Sequence, residues 1–332
     1  LGLALAMVVG VLVLILIIGS LTFWPLRIVQ YETVDGKIHL GEVTRVETYK
    51  PSQEQVSELP KEYQEKAFRY LEARQGVSER YLVRTGNYEL TNTHFNWVSD
   101  FQIEKTTYPA WAFVWERVSW GRFYGTPAGF QLDEKTIAEG PEESYRLFQK
   151  HFPEVKSRRD KIYHLEKEVL GSLNYRLEQA RLSVRDKELK LRKTASESRE
   201  SLERSLQKEQ AAYHALKEKI ESEYNKVRSQ IEALKKENQR YSLLMKVSDG
   251  SVVTLPLSTI VRGYPANQLG WFQRLSIYID RWIEFLTAEP REANSEGGVF
   301  PAIFGTVVMT LLMSLVVSPL GVIAALYLRE YA

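Results

Sequence analysis

Apolar and polar positions follow three different rhythms along this chain, and each predicts a different kind of element. At the two ends the apolar run is continuous: neither Leu1 to Leu26 nor Val299 to Leu328 contains a charged residue. A helix rises about 1.5 Å per residue, so roughly thirty residues reach about 45 Å, against a hydrocarbon core of about 30 Å. The pattern predicts one transmembrane helix at 1–26 and a second at 297–330. Pro301 suits a first helical turn, whereas Pro319 lies deep in the run and kinks it unless neighbouring helices satisfy the freed carbonyl. The first run is longer than the apolar core of a signal peptide. It also lacks a small-residue cleavage pattern before Phe23-Trp24-Pro25, which predicts a retained anchor with Trp24 in the headgroup layer. Leu1 in place of a start methionine, and a stop soon after the second run, lead to the expectation of a fragment.

From 27 to 153 the rhythm changes to alternation around turn signals, which predicts a β-rich module. Ile28 to Thr33 and Ile38 to Thr48 flank Asp35-Gly36, and Tyr81 to Arg84 and Tyr88 to Leu90 flank Gly86-Asn87. Such dipeptides between β-prone runs signal hairpins. Ser57 to Gln75 carries Leu59, Tyr63, Ala67, Tyr70 and Leu71 near one face and ends at Gly76, which predicts one helix. The aromatic cluster from Trp111 to Phe130 fits a packed core better than a ligand platform.

Residues 154–246 have a helical period throughout, no proline and the single glycine Gly171. The second half repeats every seven residues at Leu206, Tyr213, Ile220, Val227, Leu234 and Tyr241, with Tyr224, Ile231 and Met245 in the alternate seam position. Lys217 and Asn238 interrupt that seam, as register-fixing polar residues do. The first half repeats every eleven, at Val169, Ala180, Leu191 and Leu202, beside Leu173, Val184, Ala195 and Leu206. A seven-residue repeat winds left-handed and an eleven-residue one does not. One continuous helix would extend about 140 Å and separate its β flanks, so a coiled-coil hairpin turning near Thr194 to Arg199 is expected, with arms of about 65 Å.

Alternation returns at 247–265, where Leu243 to Val247 and Ser251 to Leu255 flank Asp249-Gly250 and Ser258 to Gly263 comes next. Strands on both sides of a helical insert are expected to share one small sheet or barrel. Residues 266–290 then predict an amphipathic helix. Its Trp271, Leu275, Tyr278 and Trp282, together with Trp24, are the candidate membrane-interface residues. The fold class expected is therefore membrane α plus extracytoplasmic α+β: two transmembrane helices flanking a small β-rich module with an inserted helical coiled-coil hairpin.

Composition alters this picture little. The chain has 332 residues, 44 Lys+Arg against 42 Asp+Glu, and no cysteine. A net charge of +2 recommends no nucleic-acid partner. Absence of cysteine excludes disulfides, thiolate metal sites and a cysteine nucleophile. Gly36-Lys37 is followed by Ile38, so it is not a phosphate-binding loop, and His39, His94, His151, His164 and His214 are scattered without ligand-like pairing. No catalytic, cofactor or metal site is expected.

The run Gly297-Gly-Val-Phe-Pro-Ala-Ile-Phe-Gly-Thr306, then Ser318-Pro-Leu-Gly-Val322 and Tyr327-Leu-Arg-Glu-Tyr-Ala332, resembles the first core helix of the phosphate-specific ABC transporter permease, PstA type. That likeness covers residues 290 to 332. Phe23-Trp-Pro-Leu26, and Phe95-Asn-Trp-Val98 through Arg122-Phe-Tyr-Gly125, look more loosely like the long proteobacterial form with an extra domain before its core. The resemblance implies a transport subunit that is not itself an enzyme, in the bacterial inner (plasma) membrane, multi-pass, with its large loop periplasmic. It also implies a second permease subunit, ATP-binding subunits, a periplasmic phosphate-binding protein and membrane lipid as partners. No residue of a phosphate path can be carried over, because Glu296 and Arg329-Glu330 lie at the borders of the second run. Two alternatives share the layout: a two-span membrane sensor with a periplasmic coiled-coil domain, and a periplasmic adaptor protein.

Overall fold

A computed structural model describes residues 2–193, 199–291 and 297–331. The chain divides into two compact units, one made of residues 1–126, 246–251 and 259–332, the other of 127–245 and 252–258.

The first unit begins with helix α1 (Gly2–Thr22), which ends in turn-type bonds from Phe23 N to Ser20 O and from Trp24 N to Leu21 O just before Pro25. Strands β1 (Ile28–Thr33) and β2 (Ile38–Tyr49) form the hairpin expected around Asp35-Gly36, with Gly36 at φ +79°. The helical stretch expected over Ser57 to Gln75 is instead two helices, α2 (Gln53–Ser57) and α3 (Lys61–Ala73). Pro60 divides them because it lacks the N–H that a continuous helix needs. A capping box from Ser52 and Gln55 starts α2, and Gly76, at φ +77°, donates to Leu71 O at 2.7 Å to close α3.

Beyond β3 (Ser78–Arg84), both Gly86 and Asn87 have positive φ, as the turn reading requires, but the chain then forms a short helix, α4 (Tyr88–Thr91), rather than a strand. The partner of β3 is β4 (Phe95–Ser99), and β5 (Ile103–Thr107) closes the other edge, giving a five-stranded sheet in the order β4-β3-β2-β1-β5. All four pairings are antiparallel. Val29, Tyr31, Val83 and Val98 are buried together on it.

A second sheet contains β6 (Phe113–Arg117), β7 (Arg122–Leu132), β8 (Lys135–Glu139), β9 (Tyr241–Lys246), β10 (Val252–Pro256) and β11 (Ile260–Pro265). In the first unit β6 lies between β7 and β11 and is antiparallel to both. Phe113, Trp115, Phe123 and Tyr124 are at most 1% exposed, so this part of the aromatic cluster is core. Helix α8 (Trp271–Thr287) inserts Ile277 into a core with Ile28, Leu40, Val114 and Tyr264.

In the second unit β7 pairs with β8, and helix α5 (Pro141–His164) begins well upstream of Glu154. Gly140, at φ +81°, Pro141 at the first helical position, and Glu142 and Glu143 in the first turn explain that start. A π-helical turn at Leu165–Val169 leads into α6 (Leu170–Lys193), and α7 (Arg199–Gln239) returns against both. Lys187 meets Glu209 at 2.7 Å and Glu166 meets Lys235 at 2.7 Å, the order that antiparallel arms give. Ile162, Leu165 and Ile231 are buried together, with Val227 and Leu234 packed on them. Asn238 is buried in the seam, where it accepts from Arg158 Nε at 2.6 Å and donates to Val155 O at 3.3 Å; Lys217 is exposed. Tyr241 and Met245 continue the heptad on paper but belong to β9. Of the turn expected near Thr194 to Arg199, Thr194 to Ser198, including Ala195, lie outside the described residues, and Arg199 begins α7.

The expectation of two transmembrane helices flanking a small β module needs correction. The β part is two antiparallel sheets of five and six strands. Among the described residues one helix is long and apolar enough to cross a membrane, within α9 (Phe300–Tyr331), from Phe300 to Glu330. At the amino end the shorter apolar helical stretch Ala6–Thr22 lies within α1.

Candidate functional site

Alternation along a strand normally sends one face to solvent, but β6 is buried at every position from Phe113 to Arg117. Its Glu116 therefore sits where a charge needs partners. Arg262 of β11 donates from Nη1 to Glu116 Oε2 at 2.6 Å. Arg281 of α8 donates from Nε to Oε1 at 2.9 Å and also from Nη2 to the same oxygen. All three nitrogens of the Arg281 guanidinium donate: Nη2 also donates to the Tyr264 hydroxyl at 2.5 Å, and Nη1 to the Phe23 carbonyl at 2.9 Å. One α8 side chain thus ties β6, β11 and the segment after α1 together.

A second buried carboxylate lies nearby on β2. Glu42 is 1% exposed, and its Oε2 accepts from Arg122 Nη1 and from the Tyr124 hydroxyl, both at 2.6 Å. Its Oε1 is buried without a protein hydrogen-bond partner. The close approach of β3 at this point is possible because residue 41 is glycine; a Cβ there would stand 1.9 Å from the Arg84 carbonyl oxygen.

Glu42, Glu116, Arg122 and Arg281 line a pocket of about 880 Å³ that lies entirely within the first unit. Its lining includes five arginines, at 45, 84, 122, 281 and 291, and three glutamates, at 42, 116 and 284. It also includes apolar residues, among them Ile18 and Leu21 of α1, Leu26, Phe285, Val299 and Ala302. Arg291 Nη2 bonds Glu284, which also receives Arg262 Nη2 at 3.4 Å.

Burial pushes the Glu116 carboxyl up, but Arg281 and Arg262 pull it harder the other way, and it ends at about 2 against an ordinary value of 4.5. Burial likewise raises Glu42, and Arg122 and the Tyr124 hydroxyl lower it to a net value below the usual carboxylate range. A carboxylate whose folded value is depressed stabilises the fold above its unfolded value and loses that contribution as pH falls through its folded one. The first unit is therefore expected to lose stability between about pH 4.5 and pH 2. Denaturation midpoints measured across that range check it, and a midpoint independent of pH there would refute the ion-pair account.

The structure separates the five residues singled out as membrane-interface candidates. Trp24 and Tyr278 meet at 5.6 Å, and Trp282 packs on Phe23 at 4.8 Å, so these three join one aromatic group with Phe285. Leu275 is half-buried, while Trp271 is 61% exposed and touches Phe272. The exposed apolar stripe of α8 is instead Phe272, Ile279, Ile283 and Leu286, at helical spacing and all 47–81% exposed. Sequence reasoning does not find Glu42, Glu116, Arg122 or Arg281. The available signal is Glu116-Arg117 closing the otherwise apolar Phe113-Val-Trp115. Comparison with models of protein families, with characterised proteins and with solved structures gives no match.

Proposed function

We propose that this chain is a membrane-spanning permease subunit of an ABC importer for inorganic phosphate, with its folded region on the periplasmic face of a bacterial inner membrane. It works with a second permease subunit, separate ATP-binding subunits and a periplasmic phosphate-binding protein. The observation that carries this reading is α9. Its residues 300–328 carry no charge, and the most apolar window has no residue buried within the chain. Such a surface requires lipid or other helices around it. Pro319, inside that helix, leaves a backbone carbonyl that neighbouring helices would satisfy. The run from Gly297 to Thr306 and the sequence around Ser318-Pro319 resemble that permease family. The exposed stripe on α8, just before the span, suits a helix lying along the headgroup layer.

A permease performs no covalent step; two conformations are selected by ATP binding on its partners. In a strain without redundant phosphate importers, removing the gene is expected to abolish ATP-driven phosphate uptake. Restoration should require the protein together with its partner permease and ATPase. Uptake unchanged by the deletion would refute the assignment.

A further inference from the structure

The helical hairpin of the second unit is packed unevenly along its length. Near its base Ile162, Leu165, Leu173, Ile220 and Ile231 are all buried. Farther out, none of residues 174–193 and none of 199–219 is buried. Polar contacts join the arms there: Lys187 donates to Glu209 at 2.7 Å and to the Ser205 hydroxyl at 3.1 Å, and the Ser183 hydroxyl donates to Glu209 at 2.8 Å. Apolar side chains stand on the outside instead. Tyr175, Leu182 and Leu189 of α6 are 66%, 45% and 45% exposed, at intervals of seven residues. Tyr175 lies two residues beyond Leu173, which is buried, and Leu189 two residues beyond Lys187, which bonds α7; two residues turn a helix by about 200°. The stripe is therefore on the side of α6 away from α7.

Apolar residues at seven-residue intervals on a helix are spaced to meet another helix, so the stripe calls for a helical occupant. The charges beside it choose which. Glu178 is exposed in the first half of the stripe, and Arg185 and Arg192 are exposed in the second. Glu178 holds Arg181 at 3.5 Å, a contact between exposed side chains that contributes little, and Asp186 is taken by Lys190 at 2.6 Å within α6. A copy of α6 running the same way would set Arg185 against Arg185 and Glu178 against Glu178. A reversed copy sets Glu178 beside Arg185, Tyr175 beside Leu189, and Leu182 against itself, as a two-fold axis requires of a self-complementary surface. We propose that two copies of this chain pair through α6, antiparallel, about a two-fold axis close to Leu182. The pairing is independent of what the chain transports and would hold for a protein of any other function.

The chain contains no cysteine, so single cysteines and a short bismaleimide cross-linker report the pairing in the full detergent-solubilised protein. Leu182→Cys is expected to give at least about tenfold more cross-linked dimer than Ser222→Cys, which is exposed on α7. Tyr175→Cys should not link to itself, because reversed helices hold the two copies of position 175 about 20 Å apart, but it should link to Leu189→Cys when the two proteins are mixed. Native mass spectrometry should show a dimer for the unaltered protein and a monomer for Leu182→Glu, a change at an exposed position that should leave the helix content read by circular dichroism unaltered. A dimer retained by Leu182→Glu, or Ser222→Cys linking as well as Leu182→Cys, overturns the surface. Self-linking of Tyr175→Cys overturns the antiparallel direction, and a monomeric unaltered protein overturns the second copy.

Discussion

Glu116→Ala is expected to remove about 3–5 kcal/mol of folding stability from the first unit, because it breaks a buried ion-pair group rather than a surface one. The side chains of Glu116 and Arg281 are 4% and 6% exposed, and Arg262 is 20% exposed. Deleting the carboxylate leaves Arg281 buried with only the Tyr264 hydroxyl and the Phe23 carbonyl, and neither cancels its charge. The exposed Arg69–Glu65 pair marks the opposite extreme, at 76% and 77% exposure, where solvent screening leaves little to lose. Urea titration of the detergent-solubilised protein, followed by tryptophan fluorescence, reads the difference, since Trp115 is fully buried beside Glu116. A loss below about 1 kcal/mol would mean that the arginines find other partners and that the group does not hold the unit together.

Gly41→Ala should cost about 3 kcal/mol or more by a different physical route. Here no charge changes. The added Cβ would stand 1.9 Å from the Arg84 carbonyl oxygen and 2.7 Å from its carbon, so the conflict is with the backbone of β3 rather than with a side chain able to swing away. Either β2 and β3 separate or β2 shifts relative to β1, where Gly41 lies opposite Val29. Amide hydrogen exchange along β2 and β3 is the direct readout, and faster exchange at Val43 and Val83, which face each other in the register, is the expected result. Unchanged exchange and an unchanged urea midpoint would show that the strands tolerate a Cβ at this position.

Local chemistry is legible in the sequence, and distant association is not. Asp35-Gly36 and Asp249-Gly250 sit between β-prone runs and mark turns between β1 and β2 and between β9 and β10, because a tight turn is specified by the residues within it. Gly86-Asn87 supplies the same signal, but its left-handed pair leads into α4, since packing beyond a turn decides which element the chain enters next. The helical region expected from residue 154 starts earlier, with Pro153 inside α5; the start signal is Gly140-Pro141 followed by two acidic residues. Apolar length alone predicts two spans, whereas one helix among the described residues meets the requirement. The charged site is the least legible part. Glu42 and Arg122 are 80 residues apart, and Glu116 and Arg281 are 165 apart, so no spacing rule joins them. A glutamate within Phe113-Val-Trp-Glu-Arg117 is the one local hint, as a charge in a strand buried on both faces must be paired.

Strand β6 borders β11, and Glu116 and Arg262 are 146 residues apart in the chain. At ribosomal speeds of about 5–20 residues per second, roughly 7–30 s pass between synthesis of the first and of the second. Throughout that interval the edge of β6 is open, and the aromatic Phe113 and Trp115 lie along it. Glu116 then lacks the bonds from Arg262 and Arg281, with Arg122 opposite it on β7 as its nearby cation, and a charge on an edge is the kind of residue that discourages pairing with a stray strand. When Arg262 and Arg281 emerge, the same carboxylate becomes their anchor. Nascent-chain order thus gives one side chain two successive duties: a guard on an unfinished edge, then the latch that closes it.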